Sequence, residues 1–440
     1  MKRTTIAAAL LIAAFGAPAA SAKDGALTVS LLLRTRGEAI DGQFRPAPAA
    51  DDAALLFRSE LRAEYDAGPI RFGGELIDAR AYFQRRNSSI ATTEVNAIEP
   101  VQAYLQSDVS DRARLTLGRF TMNIGSRRLV SRQVFRNSTN AFTGARLELK
   151  SRAGDSATLF WTLPQTRLPD DRDAIQRARV ELDRERLGLQ FFGASVVSRP
   201  LAGTTIEAYL YRLAEHDAPT IQTRDRRLWT PGVRLYRAPA RGKTDFEIEA
   251  AWQTGTIRRS TRPDDTIDLP VSAWFAHADI GHSFAGRWAP RLALQADVAS
   301  GDGPGGDYRR FDPLFGARAF EFGPTSLYGA VSRANLISVE ARAEVTPSPR
   351  WDGYVAVRPL WLAAAGDSFS GTGVRDPGGT AGRYAGTQID GRVRYWLVPK
   401  HARVAAGYAD LFKGRFLTVA ANAPATGDTH YGYLELTLTL

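Results

Sequence analysis

The sequence predicts an all-β protein, a transmembrane antiparallel β-barrel of about 18 strands with short periplasmic turns and long extracellular loops. Three observations carry this expectation. Polar and apolar residues alternate with period two through most of the chain. The joints between the alternating segments are short and long in strict turn. The last segment, Tyr431 to Leu440, alternates to its end, as a strand does that closes the sheet against the first one and leaves no free edge.

Residues 1–22 read as a signal peptide. Lys2 and Arg3 precede an apolar run from Ile6 to Phe15, and Ala20-Ser21-Ala22 offers small residues for cleavage after Ala22. Residues 23–440 then form the barrel. No other stretch is apolar for long enough to cross a membrane as a helix.

Composition narrows the chemistry. The formal charge is +10, and only 6 of the 57 basic residues are lysine. Biased coding explains part of that excess. It also suits sites that grip carboxylates or phosphates in bidentate pairs, because guanidinium is planar and permanently charged. The chain has 0 cysteines, which removes a disulfide framework, thiolate metal sites and an acylated lipoprotein anchor.

Taken in order, strands are predicted near 26–38, 54–65, 70–83, 99–107, 112–120 and 141–150. They continue near 156–163, 186–197, 204–213, 229–237, 244–254 and 271–283. The final six lie near 289–299, 332–345, 351–360, 387–397, 402–410 and 431–440. Asp66 to Pro69 and Val398 to His401 typify the short, turn-rich joints. Long joints near 121–140 and 300–331 typify the other class. Tyr65, Tyr82, Trp161, Trp274, Trp288, Trp351, Trp361 and Trp396 fall near strand ends, as aromatic girdles require.

No catalytic constellation is present. The five histidines are scattered, and neither G-x-S-x-G nor H-E-x-x-H occurs. Gly301 to Gly306 matches G-x-G-x-x-G but contains a proline and leads into no apolar helix, so it reads as a flexible loop. Asp302 and Asp307 are expected to be solvated loop carboxylates rather than calcium ligands. Acidic and basic residues share strand faces, which suits an internal ladder better than a nucleic-acid surface. An enzyme, a cofactor and a metal centre are therefore not expected.

Strand parity places one charged set in the lumen. The expected pore-lining cations on those faces are Arg34, Arg36, Arg58, Arg62, Arg146, Arg342, Arg358, Arg392 and Arg394. Arg119 and Arg136 join them not by parity but because they sit, with Asn137, at the strand ends where a constriction could be built. Glu60, Glu64, Glu148, Glu340 and Asp390 share those faces and are expected to pair with arginines. The richest stretch is Arg119 to Lys150. Between Phe120 and Leu147 it holds five arginines and no acid. Its loop arginines, Arg127, Arg128 and Arg132, belong to an outward-facing loop and are expected at the mouth or in the lining rather than in selectivity. A ring of unpaired guanidinium groups at the narrowest level would select anions.

Several motifs resemble the alginate-export family of outer-membrane porins. Gly118-Arg119, Phe135-Arg136-Asn137 and Phe142-Thr-Gly144-Ala-Arg146 form one block. Ala299-Ser300-Gly301-Asp302, Phe311-Asp312-Pro313-Leu314-Phe315 and Asn335 form another. The likeness extends over nearly the whole chain. It implies an 18-stranded barrel with a narrow electropositive lumen that passes a polyuronate outward. It also implies roles for Arg119, Arg136, Asn137 and Arg146, and for Asp302, Phe311, Asp312 and Asn335. In that family's alginate exporter a long periplasmic loop before the penultimate strand helps to gate the pore; Val398 to His401 is too short to do so here. The expected function is passage of an anionic polysaccharide or its oligomers across the outer membrane. The alternative is an uptake porin for small organic acids, phosphate or oligosaccharides. Expected partners are outer-membrane lipid, the anionic saccharide and periplasmic export components.

Overall fold

The computed structural model describes residues 26–440 with the exception of Ala202, so the leader expected over 1–22 lies outside the described residues. Eighteen antiparallel strands pair in chain order. They are β1 (Leu27–Asp41), β2 (Asp52–Asp66), β3 (Ile70–Tyr82), β4 (Asn96–Ser110), β5 (Ala113–Phe120) and β6 (Phe142–Lys150). Next come β7 (Ser156–Pro164), β8 (Leu189–Leu201), β9 (Thr204–Glu215), β10 (Arg227–Arg237), β11 (Lys243–Ile257) and β12 (Leu269–Ser283). The circuit ends with β13 (Arg291–Ala299), β14 (Leu336–Ser348), β15 (Trp351–Trp361), β16 (Tyr384–Val398), β17 (Ala402–Lys413) and β18 (Thr429–Thr439). β18 pairs back onto β1 from Leu32↔Thr439 to Asp41↔His430, which closes the wall.

Every strand expected from the alternation is present, with ends shifted by a few residues. The outer face is apolar: Leu61, Phe72, Leu159, Trp252, Ile280 and Leu434 are all exposed. Tyr65, Tyr82, Trp161, Trp274 and Trp288 are exposed on the same surface. Their amphipathic rings suit the interface between hydrocarbon and water.

The lumen differs from a water-filled tube. Nine long connections are numbered here as loops 1 to 9 in chain order. Loop 3 (121–141) and loop 7 (300–335), expected among the long extracellular connections, fold back into the lumen. Their backbones pair through a parallel bridge, Val130↔Phe315. Ser131 N–H donates to the Phe315 carbonyl (3.1 Å), and Phe315 N–H to that of Leu129 (3.0 Å). Phe315 packs on Phe142 and Phe191 from the wall, with ring centroids 5.3 and 4.9 Å away. The largest buried cluster joins wall residues such as Phe142, Phe191 and Tyr431 to loop residues such as Phe44, Leu129 and Tyr328. Burying such side chains stabilises by about 1.5–3 kcal/mol each, which offsets the entropy lost in ordering the loops.

Loops 3 and 7 approach so closely that Gly316 is obligatory. A Cβ there would lie 1.6 Å from the Arg128 carbonyl oxygen. Backbone carbonyls inside the plug have lost water and need protein donors. Charged side chains from the wall supply them.

Candidate functional site

Arg34, Arg36 and Arg58 lie on the luminal face, as parity predicts, but they are buried under loop 3 rather than open to solvent. Arg34 donates to the carbonyls of Val134 (2.7 Å) and Arg136 (2.9 Å). Arg36 donates to Phe135 (2.8 Å) and Arg58 to Arg136 (2.9 Å). Asn137 completes the clamp. Its amide donates to the carbonyls of Phe57 (2.8 Å), Arg80 (3.1 Å) and Glu94 (3.0 Å). Charge-assisted bonds to carbonyls are stronger than neutral ones, so this corner of loop 3 is held firmly.

Arg128 is the second anchor. It is buried between Glu249 on β11 (2.5 Å), Glu247 on the same strand and Glu321 on loop 7. Its Nη2 also approaches His277 Nε2 (2.7 Å). Guanidinium only donates, so Nε2 accepts and His277 Nδ1–H donates to Asp297 (2.8 Å). Arg132 reaches from loop 3 to Glu60 (2.7 Å) and Glu75. Arg128 and Arg132, expected at the mouth or in the lining, both lie inside the barrel as struts.

The remaining ladder is largely paired. Arg119 binds Glu99 (2.8 Å) and the Glu185 carboxylate of loop 4 (165–188; 2.9 Å). Arg358 pairs with Asp297 (3.1 Å) and Glu340, and Arg342 with Glu344 (2.5 Å). Arg392 and Arg394 share Asp352 at 3.6 and 2.9 Å. Arg62 meets Glu64 and Arg146 meets Glu148, both at 3.2 Å. Asp390 departs from the expected pairing. It accepts from Tyr354 Oη (3.0 Å) and Gln388 Nε2 (2.7 Å) and reaches no arginine.

The residues of the second motif block are staples. Asn335 is buried and donates to Ala364 and Ser368 of loop 8 (362–383), both at 3.0 Å. Phe311 is buried against Phe275, with centroids 5.6 Å apart. Asp312 accepts from Arg226 (2.9 Å). Asp302, expected to be solvated, is buried and accepts from Arg259 (3.1 Å) and the Arg309 backbone (3.2 Å). Asp307 is exposed. No cluster of potential metal ligands occurs among the described residues.

One group of cations has no carboxylate within ion-pair distance among the described residues: Arg45 of loop 1 (42–51), Arg136 of loop 3, Arg167 of loop 4 and Arg318 of loop 7. All four are half-buried. They form a chain of electrostatic neighbours. Burial lowers Arg136 first, and the charges of Arg167 and Arg318 lower it further. Burial and then Arg45 do the same to Arg318. Glu94 of loop 2 (83–95) is the one carboxylate that all four feel. The Nε atoms of Arg167 and Arg318 are buried without partners.

Sequence reasoning found Arg136 and missed Arg45, Arg167 and Arg318, because loops carry no parity. A signal was present. None of the four has an acid within two positions. The exposed pairs Arg262–Asp264 and Arg179–Glu181, by contrast, form between residues two apart.

The alginate export family model matches residues 26–429. The chain belongs to the alginate export family. This member also resembles solved outer-membrane porins of Pseudomonas aeruginosa. OccK8 (OprE) is 13% identical with a TM-score of 0.59, over 94% of this chain and 98% of that one. OccK2 (OpdF), solved in complex with glucuronate, is 12% identical with a TM-score of 0.60, over 94% and 96%. OpdQ is 14% identical with a TM-score of 0.58, over 94% and 97%. These likenesses extend to the fold. No curated protein matches by sequence. The alginate-export barrel is an outer-membrane channel of porin architecture.

Proposed function

We propose that this channel passes an anionic polysaccharide of the alginate-like polyuronate type, or its oligomers, through an arginine-lined constriction. The observation that supports the reading is that Arg45, Arg136, Arg167 and Arg318 lack ion pairs among the described residues and share Glu94 as an electrostatic neighbour. Four like charges held together in a half-buried place favour an anion among them. Guanidinium forks match carboxylates in geometry, and the partial water access of the group keeps the grip weak enough for release.

The wall ladder has a different part in this reading. Arg34, Arg36, Arg58, Arg119 and Arg358 hold loops and carboxylates in place. Arg62, Arg146, Arg342, Arg392 and Arg394 retain partial exposure and form a path along the wall. A polymer needs loops 3 and 7 to part, so the Arg128 anchor is the natural latch.

Single-channel recording of the full-length protein in planar bilayers tests the proposal. The reversal potential in a salt gradient should show anion preference, and oligouronates should reduce the current. Cation preference, or current indifferent to oligouronates, overturns it. The likeness to a porin solved with glucuronate favours a second reading, uptake of small acidic sugars. Permeation of monomeric glucuronate without any effect of longer oligouronates would select that reading.

A further inference from the structure

Below the plug, on the periplasmic side, a cavity of about 540 Å³ opens between β1–β6 and the underside of loop 3. That volume is typical of small-molecule sites, which run from about 300 to 1,000 Å³. Its lining differs in kind from the four unpaired arginines. Arg62, Arg132 and Arg146 alternate there with Glu60, Glu64 and Glu75.

The cavity is preorganised. The Tyr104 ring lies flat over Gly73, where a Cβ would come within 2.1 Å of the ring. That fixes Tyr104 Oη, which donates to Glu64 (2.6 Å) and accepts from Arg62 (3.3 Å). Arg132 is fully engaged by Glu60 and Glu75. Arg146 is not. Its one carboxylate partner, Glu148, is solvent-exposed in its side chain (39%), and its Nε is buried without a partner. The Arg146 guanidinium stands over the Phe120 ring at 5.2 Å.

We propose that this cavity is a saccharide subsite on the periplasmic approach to the constriction, taking one acidic sugar unit. Arg146 and Arg62 receive the sugar carboxylate. Glu64 and Glu60 accept from its hydroxyl groups. A pocket for a simple inorganic anion gains nothing from carboxylates in its wall, whereas a sugar acid offers several hydroxyl donors beside one carboxylate. Because loop 3 roofs the cavity, its ligand arrives from the periplasm. The inference rests on the reading of the channel as a conduit for acidic saccharides.

The test is sided block in planar bilayers, with a trimeric oligouronate added to one chamber at a time and a tag in loop 6 (258–268) reporting orientation. Block should be tighter from the periplasmic side. Arg146→Gln and Tyr104→Phe should each weaken that periplasmic block by about tenfold, as expected for one charge-assisted contact or its support. Block from the extracellular side should not change in either variant, and Tyr104→Phe, which removes no charge, should also leave the reversal potential unchanged. Tyr104→Phe guards against misfolding, since it removes one hydroxyl and keeps the ring over Gly73. Equal block from both sides, or unchanged affinity in both variants, overturns the subsite while anion preference stands. Absence of block from either side overturns the subsite and the substrate reading together.

Discussion

Arg128 of loop 3 and Glu321 of loop 7 form an ion pair inside the barrel, and both reach further partners: Arg128 holds Glu247 and Glu249 on β11, and Glu321 holds Arg333. The pair ties two inward loops to each other and to the wall. Removing one member of such a buried network strands the rest as uncompensated charge.

Arg128→Met should therefore destabilise the folded barrel by about 3–5 kcal/mol. Loop 3 should also be released. Urea unfolding in detergent measures the first effect, and a larger, noisier single-channel conductance reports the second. An unchanged conductance would mean that the latch lies elsewhere.

Gly316→Ala acts on the same contact without touching charge. The added methyl would overlap the Arg128 carbonyl, 1.6 Å away, so loops 3 and 7 must separate. The expected cost is about 1–3 kcal/mol, with conductance rising while ion preference is kept.

Reversing two charges of the unpaired group should change selectivity. Arg136→Glu combined with Arg318→Glu should shift the anion-to-cation permeability ratio about tenfold or more toward cations, since neighbouring charges in partly buried sites interact by several kcal/mol. Arg184→Glu, at an exposed site in loop 4, should leave the ratio nearly unchanged. Reversal potentials in a salt gradient decide the matter.

Glu94 should give the proposed constriction a pH dependence. Burial raises its pKa above the ordinary glutamate value; Thr93 and Arg136 oppose that rise and Glu38 adds to it. The raised value means that the proton is taken up at higher pH than usual. As pH falls through that range the carboxylate neutralises, the four arginines lose their one shared counter-charge, and anion preference should increase. Glu94→Gln should show the increased preference already at neutral pH and lose this step in the profile.

The wall was legible in the sequence because its rule is local. A strand has a side-chain period of two, and a residue such as Leu61 or Arg62 goes to lipid or lumen by parity alone. Strand number, order and closure follow from counting such segments and their joints. The group of arginines without ion pairs was not legible. Arg45, Arg136, Arg167 and Arg318 come from four loops whose positions depend on where Gly316 lets two backbones touch, where Asn137 finds three carbonyls and where Arg128 finds three carboxylates.

By itself, then, the sequence determined an 18-stranded outer-membrane barrel with charge on its inner face, since alternation and joint length are properties of neighbouring residues. Only the tertiary structure decided which arginines find carboxylate partners and which find none, because pairing across a lumen depends on distances between residues far apart in the chain.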